Sequence, residues 1–234
     1  MNAAIKNVNL EMTSLCDRAC PDCCCATNGK LFRKGQHHDW AYFERSAKVL
    51  YGIERVLLCG GEPTFHPQFA EFVPKFKKLF GCKTLAMVTD GWGVKKYFVE
   101  IAQYIDEIDY TDYHTASHPQ KVALNALGGS AIPIRIFDAG PRMENFTPRS
   151  RVGGGNPCER AWWRSGTIAY ADGKIYGCCV APGIEGAEGI TSEELQSISA
   201  LTRDCGFFTK YPTGMGLIAS WIPDIPCGTC FFSE

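Results

Sequence analysis

Apolar and polar residues alternate along the first 140 residues in a way that predicts strands and helices in turn. Five short apolar runs predict strands, at residues 8–12, 55–59, 84–88, 108–113 and 132–137. Between them lie four longer stretches with apolar residues at helical spacing, at residues 40–51, 69–80, 94–105 and 119–127. Strands separated by helices are typical of βαβ units, which build a parallel sheet.

The number and spacing of these elements favour an incomplete barrel. A closed barrel of eight β/α units takes about 250 residues, whereas this chain has 234 residues and its fifth predicted strand ends before residue 140. We therefore predict an α/β fold, a partial TIM-type β/α barrel over residues 1–145. A shift to Gly, Pro and Arg at residues 139–156 predicts a linker. Residues 146–234 form the second predicted domain, which is small and contains a helix and a β-hairpin at residues 166–176.

Composition and charge narrow the classes of partner. With 45% hydrophobic residues the chain can bury a core. Because 24 Lys and Arg face 25 Asp and Glu, there is no net attraction for polyanions, and we do not expect nucleic acid as a partner. The apolar runs are too short to span a membrane, and residues 1–7 lack the apolar stretch of a signal peptide. We therefore expect a cytoplasmic protein without a membrane partner.

Cysteine is far more frequent here than in most intracellular enzymes. The chain has 13 cysteines, five of them within residues 16–25 and six within residues 158–230. Clustered thiols in a reducing compartment predict metal or iron–sulfur ligands. The first group contains the motif C-x3-C-x2-C directly after the first predicted strand, at Cys16, Cys20 and Cys23. Three thiolates bind three irons of a 4Fe–4S cluster and leave the fourth iron open to a small molecule.

The cysteine loop resembles that of the radical S-adenosylmethionine (radical SAM) superfamily. The resemblance implies that the three cysteines hold a 4Fe–4S cluster whose open iron is chelated by S-adenosylmethionine. It also implies that one electron, from an external donor such as flavodoxin or ferredoxin, cleaves S-adenosylmethionine. The products are methionine and a 5′-deoxyadenosyl radical that removes a hydrogen from the substrate. The loop departs from the family pattern at Asp22, where an aromatic residue is usual, and Cys24 and Cys25 leave a shift in the choice of ligand open.

Three further segments resemble the S-adenosylmethionine-binding motifs of this superfamily. Gly60-Gly61-Glu62-Pro63, the GGEP turn, follows the second strand. Its glycines are expected to bring the backbone close to the ligand, and Glu62 is expected to accept hydrogen bonds from the amino group of S-adenosylmethionine. Thr89-Asp90-Gly91 after the third strand is similar to a turn near the ribose, and Ser117 after the fourth strand is the candidate carboxylate contact.

A second set of cysteines in the C-terminal third predicts another metal site. Cys158 and Cys178 flank the predicted hairpin, and Cys227 and Cys230 form a C-x2-C pair. The spacing resembles that of the SPASM or twitch module, which implies an auxiliary 4Fe–4S cluster with four cysteine ligands and an electron-transfer role. Structural zinc, which favours four thiolates in two pairs, is the alternative. Six cysteines receive no assigned role, although the last is an alternative ligand: Cys24, Cys25, Cys59, Cys82, Cys179 and Cys205.

Two charged residues are the candidate catalytic groups. We expect Arg135 and Asp138 after the fifth strand, at the ligand-bearing end of the barrel. A salt-bridged loop explains these charges equally well. Histidines are interpreted differently, because His37, His38 and His66 have the pattern of solvated surface residues.

The single auxiliary cluster and the short barrel resemble dehydrogenases of the superfamily that oxidise a small alcohol. We therefore expect a two-electron oxidation of a small-molecule substrate, with the auxiliary cluster as electron acceptor. Radical modification of a peptide, or of a nucleoside or nucleotide, is the alternative within the same chemistry. A non-catalytic zinc-binding protein is the alternative from another class.

Overall fold

The computed structural model describes residues 6–16, 35–50, 53–113, 118–129, 131–138, 167–171, 173–176 and 190–191. Within these ranges the strands are β1 (Asn7–Thr13), β2 (Arg55–Gly60), β3 (Thr84–Thr89), β4 (Glu107–Asp112), β5 (Ile134–Asp138), β6 (Thr167–Ala171), β7 (Lys174–Tyr176) and β8 (Ile190–Thr191). The helices are α1 (Trp40–Val49), α2 (Phe69–Phe80), α3 (Phe98–Tyr104) and α4 (His118–Gly129), and a 3₁₀ turn spans Pro63–Phe65.

These strands form one sheet in the order β5-β4-β3-β2-β1-β6-β7-β8. Strands β1 to β6 are parallel to one another, whereas β7 pairs antiparallel with β6 and β8 pairs antiparallel with β7. Among the described strands β5 and β8 lie at opposite edges and do not pair, so this sheet is open. The predicted α/β fold with a parallel sheet is therefore confirmed, and β6 adds a sixth parallel strand to the five predicted.

The predicted hairpin is present and begins inside the main sheet. Strands β6 and β7 pair antiparallel, and Gly173 between them takes a φ of 76°, as a tight turn requires. β6 also pairs parallel with β1, from Asn7 opposite Thr167 to Leu10 opposite Tyr170. The hairpin thus shares a sheet with the barrel strands, while the domain boundary at residue 145 stays a prediction.

The helices begin and end where the sequence provides capping residues. Asp39 caps the start of α1 with its side chain, and Gly81 ends α2 in the left-handed conformation at a φ of 63°. α3 is shorter than the predicted helix at residues 94–105, because residues 92–97 form consecutive turns that carry the chain away from β3. No helix in the described ranges is long and apolar enough to cross a membrane.

The core lies between one face of the sheet and the helices. Its largest fully buried side chains come from the strands and from α1 and α2, and they include Tyr170, Phe43, Phe69, Phe72, Phe76, Leu10 and Met12. Burying one such side chain stabilises the fold by about 1.5–3 kcal/mol. This layer holds β1, β2 and β3 side by side, and their carboxyl ends therefore meet at one edge of the sheet.

Candidate functional site

The carboxyl ends of β1 and β2 remain hydrogen-bonded beyond the last strand residues. Gly61 N donates to Thr13 O at 2.7 Å, and Glu62 N donates to Leu15 O at 3.1 Å. The register of β1 against β2 shifts between Glu11 and Thr13, a bulge of the kind that redirects a strand near a functional site. As a result the chain that leaves β1 passes directly beside the GGEP turn, and Cys16, three residues beyond β1, is half-buried there.

Glycine is required at both positions of this contact. Gly60 has a φ of 125°, and a Cβ there would lie 2.1 Å from Thr13 O. A Cβ on Gly61 would lie 1.8 Å from Leu15 O, far inside van der Waals contact. The close approach that these glycines permit is therefore to the backbone that leads to Cys16. Their predicted contact with a ligand stays a prediction.

Glu62 connects the ends of β2 and β3 through its side chain. Its carboxyl is buried and accepts hydrogen bonds from Thr64 N at 3.0 Å, Thr64 Oγ1, Thr89 Oγ1 at 3.0 Å and Asp90 N at 2.8 Å. Burial raises the pKa of Glu62 to about 8, and the charge of Asp90 adds to the rise, although the hydrogen bonds from Thr64 and Asp90 lower it. The carboxyl is thus held in place before any ligand binds.

The turn after β3 is built around the same carboxyl. Gly91 N donates to Thr89 Oγ1 at 2.9 Å, and Trp92 N donates to Asp90 Oδ1 at 2.8 Å. Gly93 N donates to Thr64 Oγ1 at 3.0 Å. The structure therefore brings the predicted Thr89-Asp90-Gly91 segment against the GGEP turn, with Thr89 and Asp90 buried. Its predicted place near a ribose stays a prediction.

Both ends of the segment at residues 17–34, which the structure does not describe, are fixed on β1. Ser14 N donates to Gln36 O at 3.0 Å, and His38 N donates to Met12 O at 3.2 Å. Thr13 and His37 form an antiparallel bridge between them. The chain therefore returns beside the strand that it left.

Two of the three histidines contradict the sequence-based interpretation. His38 and His66 are 6% and 1% exposed, so the prediction that they are solvated surface residues is wrong, whereas His37 is exposed as predicted. His38 Nε2 donates to the buried Glu11 Oε1 at 2.9 Å. They are buried because the chain returns over β1. The signal missed was Glu11 in β1, an acid that needs a partner once the strand is buried on both faces.

His66 is a neutral histidine with a defined tautomer. Its Nε2 donates to His38 O at 2.8 Å, and its Nδ1 accepts from Gln68 N at 3.1 Å. Because Nδ1 accepts, it carries no proton. Burial lowers the pKa of His66, which agrees with this assignment. His66 therefore joins the 3₁₀ turn after Glu62 to the returning chain.

Arg135 lies elsewhere than predicted. Strand β5 contains both Arg135 and Asp138, so the prediction that they follow the fifth strand is wrong. Arg135 Nε donates to Asp109 Oδ1 at 2.7 Å, a hydrogen bond that raises the pKa of Arg135. Arg135 and Asp109 form an ion cluster with Arg55 and Glu107. Arg55 is the first residue of β2, and Glu107 is the first residue of β4. The cluster therefore lies toward the amino ends of the strands, away from Cys16.

Asp138 is the last residue of β5 and pairs with Asp112 in the ladder, and its side chain is not described. Several other predicted site residues lie wholly outside the described residues: Cys20, Cys23, Ser117, Cys158, Cys178, Cys227 and Cys230. Within the described ranges no group of three His, Cys, Asp or Glu side chains is placed to hold a metal ion. Of the described cysteines, Cys82 is buried, and burial raises the pKa of its thiol.

Comparison with known proteins supports the fold. No family model matches the chain. The structure is similar to the crystal structure of BtrN in complex with AdoMet and 2-DOIA, with a TM-score of 0.69 and 14% identity over 100% of this chain and 95% of that one. BtrN in an open conformation gives a TM-score of 0.58 and 13% identity over 99% and 94% of the two chains. The chain thus has the fold of BtrN, which agrees with the partial TIM-type barrel.

Proposed function

We propose that this chain is a radical SAM enzyme. It cleaves S-adenosylmethionine reductively at a 4Fe–4S cluster, and the resulting 5′-deoxyadenosyl radical removes a hydrogen from the substrate. The observation that supports this most directly is the contact between the GGEP turn and the segment that ends at Cys16. Two motifs that are 44 residues apart in sequence meet through backbone hydrogen bonds. Two glycines allow this contact, because a Cβ at either position would clash with the backbone of the other motif.

The residues of this chain suit a 4Fe–4S cluster. Cys16, Cys20 and Cys23 would hold the cluster, because soft thiolates are the ligands that iron–sulfur clusters use. Cys16 is half-buried beyond the carboxyl end of β1. The backbone before it is hydrogen-bonded to Gly61 and to Gln36. Parallel strands of barrels and open sheets bind ligands at their carboxyl ends, where this segment lies.

Glu62 has the properties of a residue that binds the amino group of S-adenosylmethionine. Its carboxyl is already positioned by Thr64, Thr89 and Asp90, so it loses little freedom when a ligand binds. A cation beside it favours the charged carboxylate and lowers its raised pKa. The four donors then orient a buried anion toward the ligand.

For the reaction as a whole we propose a two-electron oxidation of a small molecule, in which an auxiliary 4Fe–4S cluster accepts an electron. Cys158, Cys178, Cys227 and Cys230 would hold the auxiliary cluster. The proposal is supported by the spacing of these cysteines and by the fold shared with BtrN. The structural match covers 95% of the BtrN chain, and that structure contains AdoMet and 2-DOIA. A peptide and a nucleoside or nucleotide remain the alternative substrates to assay.

The cluster assignment is tested by metal analysis and cleavage assays on protein purified and reconstituted without oxygen. We expect about eight irons per chain, as two 4Fe–4S clusters require, and release of 5′-deoxyadenosine with dithionite. Cys16→Ala should abolish that release, and Cys227→Ala should remove about half of the iron while release stays detectable. Cys82→Ala is the matched control, because Cys82 is a buried thiol with a raised pKa and should change neither quantity.

The outcomes separate the candidate functions. Continued 5′-deoxyadenosine release by Cys16→Ala contradicts the assignment of the first cluster. Unchanged iron in Cys227→Ala contradicts the auxiliary cluster. One or two zincs per chain in place of iron identify a zinc-binding protein instead.

A further inference from the structure

One edge of β1 changes its partner at Glu11. Up to Leu10 this edge pairs with β6, and the last pair of that ladder is Leu10 with Tyr170. From Met12 onward the same edge pairs with the returning chain, residues 36–38, which follows the cysteine segment at residues 16–34. His38 N donates to Met12 O at 3.2 Å in this pairing, while β2 occupies the other edge of β1. Glu11 therefore lies at the junction between two partners.

A buried acid–histidine pair fills this junction. Glu11 and His38 are both buried, and His38 Nε2 donates to Glu11 Oε1 at 2.9 Å. The His38 ring stacks on the Tyr42 ring, with centroids 3.8 Å apart and an angle of 8° between the ring planes. Tyr42 OH donates in turn to Tyr170 O at 3.3 Å. His38 thus connects the returning chain, to which it belongs, with the end of the β6 ladder.

The same acid lies against the strand that leads into the GGEP turn. Glu11 is opposite Cys59 of β2 in the ladder, and the register of the two strands shifts immediately after this pair. A Cβ on Gly60 would lie 2.9 Å from Glu11 Cγ, so the side chain of Glu11 takes the space beside the first glycine of the turn. One buried acid therefore contacts both the GGEP strand and the returning chain.

A buried pair of this kind specifies a register more than it stabilises a fold. Replacing both members with apolar residues is often neutral for stability, whereas removing one member leaves the other buried alone at a high cost. The returning chain has two backbone hydrogen bonds to β1, at Met12 and Ser14, and side-chain bonds from Thr13 and Ser14. A shift of this short pairing by one residue would move His38 away from Glu11 and leave the acid buried without this partner. The pair therefore favours the observed register over shifted ones.

We propose that His38 is a positioning residue for the first cluster. Through Glu11 it fixes the register in which the chain returns to β1, and so it sets where the cysteine segment ends relative to where it begins. The proposal rests on the proposed function, in which three cysteines of this segment hold the cluster. With both ends of the segment fixed, the cluster is held in one orientation toward the S-adenosylmethionine that Glu62 binds.

The test separates positioning from stability. Glu11→Leu/His38→Leu removes both members of the pair together, so its unfolding midpoint in urea should stay near that of the wild type. Its iron content after reconstitution should also stay unchanged, because the cysteines remain. The S-adenosylmethionine concentration that half-changes the paramagnetic signal of the dithionite-reduced protein should rise about tenfold, as is typical when a group that orients metal ligands is lost. Glu11→Gln keeps an acceptor for His38 Nε2 and should need nearly the wild-type concentration.

Phe80→Leu is the matched control for a change in stability alone. Phe80 is the buried last residue of α2, and its ring packs on Phe76 within the core, with centroids 6.1 Å apart. Shortening this side chain should lower the urea midpoint and leave the S-adenosylmethionine concentration at the wild-type value.

Equal S-adenosylmethionine concentrations for the wild type and for Glu11→Leu/His38→Leu overturn the positioning role. A rise in Phe80→Leu or in Glu11→Gln as large as that in the double variant overturns it as well. Loss of iron together with a lowered urea midpoint in the double variant assigns the pair to the fold instead. A wild type that neither responds to S-adenosylmethionine nor cleaves it overturns the proposed function, an outcome distinct from every difference between variants.

Discussion

The charged side chains at the two ends of the parallel strands differ in whether they have a partner of opposite sign. At the amino ends, Arg55 and Arg135 face Glu107 and Asp109, and each charge has a partner of opposite sign. At the carboxyl ends, Glu62 is buried among neutral donors, and in the described part of the chain no Lys or Arg approaches it. A cluster of compensated charges is complete without a ligand, whereas a buried acid without a cation is ready to accept one.

The amino-end cluster connects β2 with β4 and β5 across β3, because the side chain of β3 at that level is small. Arg55 Nε on β2 donates to Glu107 Oε2 on β4 at 2.9 Å, across β3. The strand register places Ala86 of β3 opposite Glu107, so no large side chain intervenes. This cluster therefore ties β2, β4 and β5 together on the face of the sheet opposite the helices. Its charges are paired within the sheet, whereas the proposed ligand site lies at the other end.

The largest effect is expected where the two strand ends touch at the site. Gly61→Ala places a Cβ 1.8 Å from Leu15 O, and a backbone atom cannot rotate away as a side chain does. We expect a loss of more than about 3 kcal/mol in the free energy of unfolding or displacement of the Cys16 segment. In either case, 5′-deoxyadenosine release and iron content should fall together. Both are measured on reconstituted protein, beside urea unfolding.

Gly129→Ala is the matched control for that variant. A Cβ on Gly129, the last residue of α4, meets nothing within 4 Å, and its backbone needs no left-handed conformation. Its unfolding free energy should stay within about 1 kcal/mol of the wild type. Full iron content and wild-type cleavage in Gly61→Ala would contradict the view that this contact positions Cys16.

The fold was predictable because its signals are local. The alternation of apolar runs and helical stretches predicted β1 to β5 within two residues at most ends, and glycine turns predicted the hairpin. That β6 joins the same sheet beside β1 was not predictable, because strand order depends on packing between segments 160 residues apart. Motif spacing identified the GGEP turn and Cys16, since those residues have few other uses together.

Contacts within the site were less predictable, since they depend on which side chains meet after folding. Nothing local in the sequence indicates that Glu62 accepts from Thr89 and Asp90, or that His38 pairs with Glu11. For the same reason the sequence does not show the partners of Arg135 on β4: its charge is visible, but Asp109 and Glu107 meet it only after folding. Glu11 is the exception, because an acid in a central strand that is buried on both faces needs a partner.

An intermediate effect is expected from Glu62→Gln, and it depends on pH. Burial raises the pKa of Glu62 from 4.5 to about 8, so between these values the folded protein holds a proton that the unfolded chain releases. The stability contributed by this group is therefore present at low pH and lost as pH rises toward 8. Wild-type unfolding free energy should fall between about pH 4.5 and about pH 8, and Glu62→Gln should remove that part of the slope.

The same variant tests the amino-group contact. A cationic amino group beside Glu62 stabilises the ionised carboxylate, so S-adenosylmethionine should bind the wild type more tightly at about pH 7.5, where an α-amino group is still largely protonated, than at about pH 6. Glu62→Gln should lose this dependence as well as affinity, measured by calorimetry on reconstituted protein. If both proteins show the same pH dependence of binding, Glu62 holds β2 to β3 and does not contact the ligand.

The smallest effect is expected at the amino ends, and it decides between the two interpretations of Arg135. Its side chain is 58% exposed, and exposed ion pairs contribute about 1 kcal/mol or less, so Arg135→Ala should lower the unfolding free energy only slightly. Cleavage of S-adenosylmethionine and oxidation of the substrate should keep their wild-type rates, because Arg135 lies away from Cys16. A loss of substrate oxidation with unchanged stability would instead restore Arg135 as a catalytic residue. The charge pairing that separates the two ends of the sheet would then no longer distinguish a structural cluster from a site.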